Sequence, residues 1–384
     1  MSSSESAAAA LSDPALSLLD QLIRRRSITP DDAGCQEVIA ERLNAAGFKC
    51  ESMVFGEVTN LYARRGDSGP VLCFAGHTDV VPPGDGWDSD PFVPEIKSDR
   101  MIGRGAADMK SGVAAMVCAL EAFVADQPDH QGSLAILLTS DEEGPATDGT
   151  VKVLEALSRR GEQIDWCVVG EPSCHAKLGD TLRIGRRGSM SGMLKVHGVQ
   201  GHVAYPEQTD NPVTRFAPVL KTLCEEVWDN GNAYFPPTSF QVVDLQAGGA
   251  AVNVTPAELY ARFNFRYCTE WTHESLARRV EEILDAANLD YELEWKLSGD
   301  PFLTEPGVFA EAAASAVQEI TGVTPEHSTG GGTSDGRFFA PLGTEVVEFG
   351  PVNKTIHKIN EEVLLEDVVT LSAVYRRIAE KLLT

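Results

Sequence analysis

The sequence predicts an α/β chain of two domains: a discontinuous domain with a mainly parallel central sheet, and an inserted domain of ferredoxin-like α+β order. Three observations carry that prediction. Helical periodicities alternate with short, uniformly apolar runs in the first half of the chain, and such runs belong to strands covered on both faces. Around 183–188 the pattern changes to an amphipathic β-α-β-β-α-β order, which builds its own core. After Pro301 the first pattern resumes, and 384 residues suffice for two cores.

Asp13-Pro14 opens a helix through Leu18, Leu19, Leu22 and Ile23, with proline in a tolerated first-turn position. Residues 38–46 repeat the apolar spacing of a helix, and 71–75 read as a buried strand ending at Gly76-His77. A helix over 111–125, a strand over 134–138, a helix over 151–157 and a strand over 166–169 follow. The inserted pattern comprises strand 189–197, helix 212–228, strands 240–245 and 259–267, helix 274–287 and strand 291–295. Helix 308–320, strand 346–349 and a terminal helix over 365–382 complete the chain. The expected boundaries are 1–184 and 300–384 for the discontinuous domain and 185–299 for the insert. Residues 1–6 and the alanines after them lack a basic n-region and a long apolar stretch, so they read as a frayed leader, not a signal peptide.

Asp and Glu number 57 against 32 Lys and Arg, a formal charge of −25. That field repels nucleic acid and anionic membrane, and an anionic substrate would need locally placed arginines. No apolar run approaches the roughly 18 residues of a membrane span. Eight cysteines occur without a C-x-x-C pair; Cys73, Cys118 and Cys167 lie in apolar segments and read as buried free thiols. A reducing cytoplasm is the expected compartment.

Six side chains, His77, Asp108, Glu142, Glu143, Glu171 and His357, sit where apolar runs break into Gly-rich turns. His77, Glu142, Glu143 and Glu171 follow the carboxyl ends of three predicted parallel strands, where open α/β sheets bind ligands. Asp79, two residues past His77, is placed to accept a hydrogen bond from its ring and fix the ligating tautomer. Asp108 precedes a helix; alone it reads as a helix-terminal acid, yet a carboxylate can also bridge two metals about 3.5–4 Å apart. Glu142 and Glu143 are adjacent, so in an extended turn one can bind metal while the other faces the reacting water. A nitrogen and oxygen ligand set without thiolate favours zinc, with manganese or cobalt as alternatives.

Gly76-His77-Thr78-Asp79-Val80-Val81-Pro82, Thr139-Ser140-Asp141-Glu142-Glu143-Gly144, Gly170-Glu171-Pro172-Ser173 and the Asp108 segment resemble the di-zinc aminoacylase and carboxypeptidase superfamily. The resemblance implies a peptidase-like main domain binding two zinc ions, with cobalt or manganese admissible in one site. His77, Asp108 and Glu171 would hold one ion, and Asp108, Glu143 and His357 the other. Glu142 would be the general acid/base and Asp79 the partner of His77. Ser111-Gly112 stands where the superfamily has the two small residues in the other order, which puts no ligand in doubt.

Further motifs are similar to one branch of that superfamily: Asp148-Gly149-Thr150, Gly185-Arg186-Arg187-Gly188-Ser189, Gly201-His202-Val203-Ala204-Tyr205-Pro206, Gly331-Gly332-Thr333-Ser334-Asp335-Gly336-Arg337-Phe338 and Glu348-Phe349-Gly350-Pro351. That branch hydrolyses N-succinyl-LL-2,6-diaminopimelate to succinate and LL-2,6-diaminopimelate in lysine and diaminopimelate biosynthesis. It implies a water shared by the two metals attacking the amide, and a homodimer formed through 185–299, a dimerisation or lid domain. His202 and Asn253 would reach the partner's active site. The implied substrate carries three carboxylates; Arg187, Arg266 and Arg337 suit them because arginine grips carboxylates bidentately. Ser189, Gly332, Thr333, Ser334 and Asn353 complete the expected pocket, and the part of Arg186 stays open. The Gly331 segment lacks the Gly-Lys-Ser/Thr ending of a phosphate loop, which excludes nucleotide binding there. Two alternatives stand beside this reading: an acetylornithine deacetylase or other N-acyl-amino-acid amidohydrolase, and a non-catalytic binding protein on a peptidase-like fold. The second should have lost Glu142 or a ligand, and none is missing.

Overall fold

The computed structural model describes residues 8–249 and 251–384, so the leader expected over 1–6 lies outside the described residues. The chain divides into two units. The first takes the described residues up to Gly185 together with Leu303–Ser328 and Ser334–Thr384; the second takes Arg186–Phe302 and Thr329–Thr333.

An eight-stranded sheet forms the first unit, in the spatial order Lys49–Phe55, Val58–Arg65, Ser133–Thr139, Val71–His77, Trp166–Val169, Glu345–Glu348, Thr181–Arg183, Glu326–Ser328. The middle four strands run parallel. Val71–His77 and Ser133–Thr139 are buried at every residue, the expected consequence of a sheet covered on both faces. One edge is an antiparallel hairpin, Lys49–Phe55 with Val58–Arg65. Lys49–Phe55 is largely exposed or half-buried, and in the mostly buried Val58–Arg65 polar residues interrupt the apolar ones, so neither strand gives a uniformly apolar signal in the sequence.

Helix Pro14–Ile23 starts on the Asp13 carboxylate, which accepts the N–H groups of Ala15 and Leu16 and satisfies two otherwise orphaned donors. Lys110–Asp126 packs against it and against the terminal helix Leu365–Leu383. It is buried on nearly all sides from Lys110 to Leu120. A small sheet of Glu362–Leu364, Arg100–Ile102 and Glu95–Lys97 ties the segment before the terminal helix to the segment before Asp108.

The second unit is a four-stranded antiparallel sheet in the order Ser239–Ala247, Glu258–Tyr267, Gly188–His197, Tyr291–Gly299. Helices Pro212–Glu225 and His273–Ala286 share its core, in which Trp228, Phe263 and Phe265 interlock edge to face. The βαββαβ order read from the sequence is therefore the order found. Thr329–Thr333, placed by sequence within the resumed first domain, clusters instead with this unit. The Thr329 hydroxyl donates to Tyr234 O at 2.6 Å, and Arg186 Nη1 donates to Gly332 O at 3.1 Å.

Among the described residues no helix is long and apolar enough to cross a membrane. All eight cysteines are free, and Cys73, Cys118 and Cys167 are buried as expected.

Candidate metal centre

Strand register brings the acidic turns to one end of the first unit. His77 pairs with Thr139, so the turn carrying Glu142 and Glu143 begins beside it. The Gly170 N–H donates to Ala75 O at 3.1 Å, which sets Glu171 at the same end. Asp108 arrives from a third direction, just before helix Lys110–Asp126. A Cβ on Gly112 would stand 2.6 Å from the Gly170 carbonyl oxygen; only glycine lets the helix start approach the turn before Glu171 so closely.

The six side chains form two overlapping groups. His77, Asp108 and Glu171 offer ligand atoms within 4.8 Å of one another, and so do Asp108, Glu143 and His357. Asp108 belongs to both. Its Oδ1 lies 3.4 Å from His77 Nε2 and its Oδ2 3.4 Å from His357 Nε2. Glu171 Oε1 is 3.7 Å from His77 Nε2, and Glu143 Oε1 is 3.0 Å from His357 Nε2. Glu142 belongs to neither group, although its Oε2 stands 4.0 Å from His77 Nε2.

Whether these residues fit a metal pair is decided by their unpaired atoms. His77 Nε2, Asp108 Oδ1 and Glu171 Oε1 are buried and have no hydrogen-bond partner among the described residues. Buried polar atoms are rarely left so, and here three converge with ligand spacing, one nitrogen and two oxygens. The donor set fits a divalent cation. Electrostatics agree. Burial raises Glu171 well above the usual carboxylate range, with Asp108 and Glu142 adding to it. Burial pushes Glu142 up to about 8 against the pull of His77, with Asp335, Glu143 and Asp108 adding to it. Hydrogen bonds that the ring donates to Asp108 and Glu143 lift His357 to about 10. So many carboxylates out of water require positive charge among them.

Asp79 departs from the expectation. The His77 ring donates from Nδ1 to the backbone carbonyl of Asp79 at 2.9 Å, while the Asp79 carboxylate lies 3.6 Å from that nitrogen. The carboxylate instead accepts the N–H of Glu142 at 3.3 Å and of Glu143 at 3.1 Å. Two converging backbone donors outcompete one ring. Asp79 thus fixes the tautomer through its carbonyl, leaving Nε2 toward the carboxylates, and holds the Glu142–Glu143 turn through its side chain.

The expected substrate residues divide between the units. In the second, Ser189 pairs across strands with Arg266. Arg266 is half-buried, with its Nη1 buried and unpartnered, as is Nε of Arg187. Burial and then the neighbouring Arg187 and Arg186 lower Arg266 from the usual guanidinium range; crowded cations of this kind suit an anion. His202, on the short strand Gly201–His202, and Asn253, in the turn before its partner strand Val254–Thr255, are both exposed, the Val203 N–H donating to Asn253 O at 3.1 Å. Gly332 is exposed and Thr333 half-buried. In the first unit Arg337 lies over the Phe338 ring at 4.5 Å with its Nε buried and unpartnered, and Asn353 is half-buried. Ser334 differs from its expected role: it is fully buried, and its hydroxyl donates to the Glu348 carboxylate. A buried hydroxyl takes the nearest strong acceptor, which occupies it within the chain.

The sequence alone marks no role for Asp335, Lys110 or Glu361. Asp335 is buried, accepts the Thr150 hydroxyl at 2.6 Å and keeps Oδ1 unpartnered. Its position in a Gly-rich turn before a short helix was the available signal. Lys110 and Glu361 are buried charges in polar-looking segments, where residue type alone suggests exposure.

Fold and site together define a class: an open α/β unit bearing a carboxylate-rich centre for two cations at the ends of its parallel strands. Residues 73–381 match the sequence model of Peptidase family M20/M25/M40, and the chain belongs to that family. It is 57% identical over 370 residues to a succinyl-diaminopimelate desuccinylase of Thioalkalivibrio sulfidiphilus, covering 96% of this chain and 98% of the relative. Against a protein of the same name from Nitrosomonas europaea identity is 56%, covering 97% and 100%. Among solved structures, a family M20 metallo-carboxypeptidase of Sulfolobus solfataricus shares the fold with a TM-score of 0.78 at 17% identity, covering 95% of this chain and 98% of the other. Aminopeptidase PepT of Bacillus cereus aligns with a TM-score of 0.77 at 18% identity, covering 96% and 98%.

Proposed function

We propose that this chain is a zinc-dependent amidohydrolase that cleaves N-succinyl-LL-2,6-diaminopimelate to succinate and LL-2,6-diaminopimelate, a step of lysine and diaminopimelate synthesis. The observation that carries the chemistry is the pair of overlapping ligand groups sharing Asp108, with Glu142 outside both. His77, Asp108 and Glu171 hold one ion; Asp108, Glu143 and His357 hold the other. Such a metal pair supplies a lowered water pKa and a polarised amide carbonyl.

Glu142 does the proton work. Its raised pKa suits a group that takes the proton of the attacking water and returns it to the departing amine. Without that proton the amine is a very poor leaving group. His202 and Asn253 stabilise the developing oxyanion from the partner subunit, in a homodimer formed through 185–299. Support for that dimer comes from the sheet-edge strand Ser239–Ala247, where Val242, Val243 and Leu245 are exposed, a surface that proteins ordinarily cover. Arg187, Arg266 and Arg337 grip the substrate carboxylates, with Ser189, Gly332, Thr333 and Asn353 around them. The free thiols fit a cytoplasmic enzyme.

The test is hydrolysis of N-succinyl-LL-2,6-diaminopimelate by chelated protein with and without added zinc. Zinc-dependent release of succinate is expected. Cleavage of N-acetylornithine with none of the succinylated substrate would replace this substrate assignment with the deacetylase one.

A further inference from the structure

Glu361 is 1% exposed, four residues beyond His357, and among the described residues its carboxylate accepts hydrogen bonds from the stretch that carries Asp108. Oε1 accepts the N–H of Ala107 at 2.8 Å and of Asp108 at 2.9 Å. Oε2 accepts the N–H of Gly105 at 3.0 Å and Nη1 of Arg104 at 2.7 Å. A carboxylate has about four acceptor positions, so its capacity is filled. Three backbone donors converging on one anion make a nest, here filled by a side chain from a distant part of the sequence.

The surroundings leave this arrangement little freedom. Glu362 pairs with Ile102 in the small sheet, and the Gly103 N–H donates to Glu361 O at 2.9 Å. Arg104 Nη2 donates to Pro83 O at 3.2 Å, and its guanidinium lies 5.1 Å from the Trp87 ring centre. Three loops therefore meet at one buried ion pair: the one after His77, the one before Asp108 and the one carrying His357. His357 and Asn360 both adopt left-handed backbone, with φ of 59° and 55°. Such backbone is disfavoured for residues other than glycine and persists only where the surroundings fix it.

We infer that Glu361 is a positioning residue of the metal centre: by holding the Asp108 backbone against the segment of His357, it sets the spacing of the shared ligand to the second histidine. Arg104 neutralises the added carboxylate, which would otherwise repel Asp108. This inference rests on the two-metal reading above.

The test is zinc titration of the full-length, chelated protein against a competing chelator, with Tm measured in parallel. Glu361→Gln keeps the size but turns an amide NH2 toward backbone donors, so at least one face of the nest is lost. Zinc affinity is expected to fall about 10–100-fold, the effect of losing an outer-sphere partner. Arg42→Met, which removes a half-buried pair with Glu121 in the helical layer, should leave zinc affinity unchanged even if Tm falls as far. Equal weakening in Arg42→Met, or unchanged affinity in Glu361→Gln, would overturn the positioning role while leaving the two-metal reading intact. Wild-type protein that binds no zinc would remove both. Should Glu361→Gln fail to fold, Arg104→Lys decides, since it keeps the charge but loses the planar fork: zinc binding about tenfold weaker supports the role, and unchanged binding overturns it.

Discussion

The Asp79 carboxylate accepts the backbone N–H of Glu143 at 3.1 Å, so the residue two positions from one proposed ligand, His77, also holds another proposed ligand's main chain. The same carboxylate takes the Glu142 N–H at 3.3 Å, and the Asp79 carbonyl takes the His77 ring. One residue thereby couples both metal groups and the proposed general base. Asp79→Ala keeps the carbonyl and removes the carboxylate. It should free the Glu142–Glu143 turn and weaken zinc binding by about 10–100-fold, measured by chelator competition. Unchanged affinity would show that the strand ends alone fix the turn.

Glu142 is the group of the centre expected to act without holding metal. Glu142→Ala should retain two zinc ions per chain by elemental analysis, while turnover of the succinylated substrate falls by about 10²–10⁴. Loss of one ion on this substitution would make Glu142 a ligand and reassign the proton transfer.

Much of this centre was legible because position carried it. Uniformly apolar runs marked the buried strands, and parallel strands bring their ends together, so His77, Glu142, Glu143 and Glu171 could be grouped before any coordinates. Asp79 was named as the partner of His77, but which of its oxygens serves the ring depends on the turn 63 residues away in sequence. Ser334 looked free in a Gly-rich loop; its burial against Glu348 is a product of tertiary packing. Glu361 and Lys110 carried no periodic signal, because a buried charge is recognisable only through the groups that surround it.

Lys110 gives a stability prediction. The side chain is 1% exposed, and Nζ donates to Leu22 O at 2.8 Å and Arg25 O at 2.9 Å, at the carboxyl end of helix Pro14–Ile23. A cation there meets the negative end of the helix dipole. Burial nevertheless lowers its pKa from the usual lysine range, so the ammonium bears a desolvation cost. Lys110→Met relieves that cost but removes both ammonium hydrogen bonds, leaving the Leu22 carbonyl with the Arg25 N–H and the Arg25 carbonyl with the Ser27 N–H. The two lost charge-assisted hydrogen bonds should win, with a net loss of roughly 1–3 kcal/mol. Thermal unfolding checks this; an unchanged or higher Tm would mean that desolvation outweighs the two hydrogen bonds.

The proposed sharing of residues between subunits has a sharp consequence. His202→Ala alone should lower turnover with zinc retained, and Glu142→Ala alone should lower it by about 10²–10⁴. If His202 serves the partner's site, a mixed dimer of the two variants contains one site with both residues intact. Random exchange of equimolar chains forms mixed dimers about half the time, so about a quarter of all sites are restored. Activity should rise toward that fraction of wild type after the variants are unfolded, mixed and refolded together, and not when they are refolded apart. If His202 acts on its own chain's site, every site in the mixture lacks one residue, and mixing restores nothing.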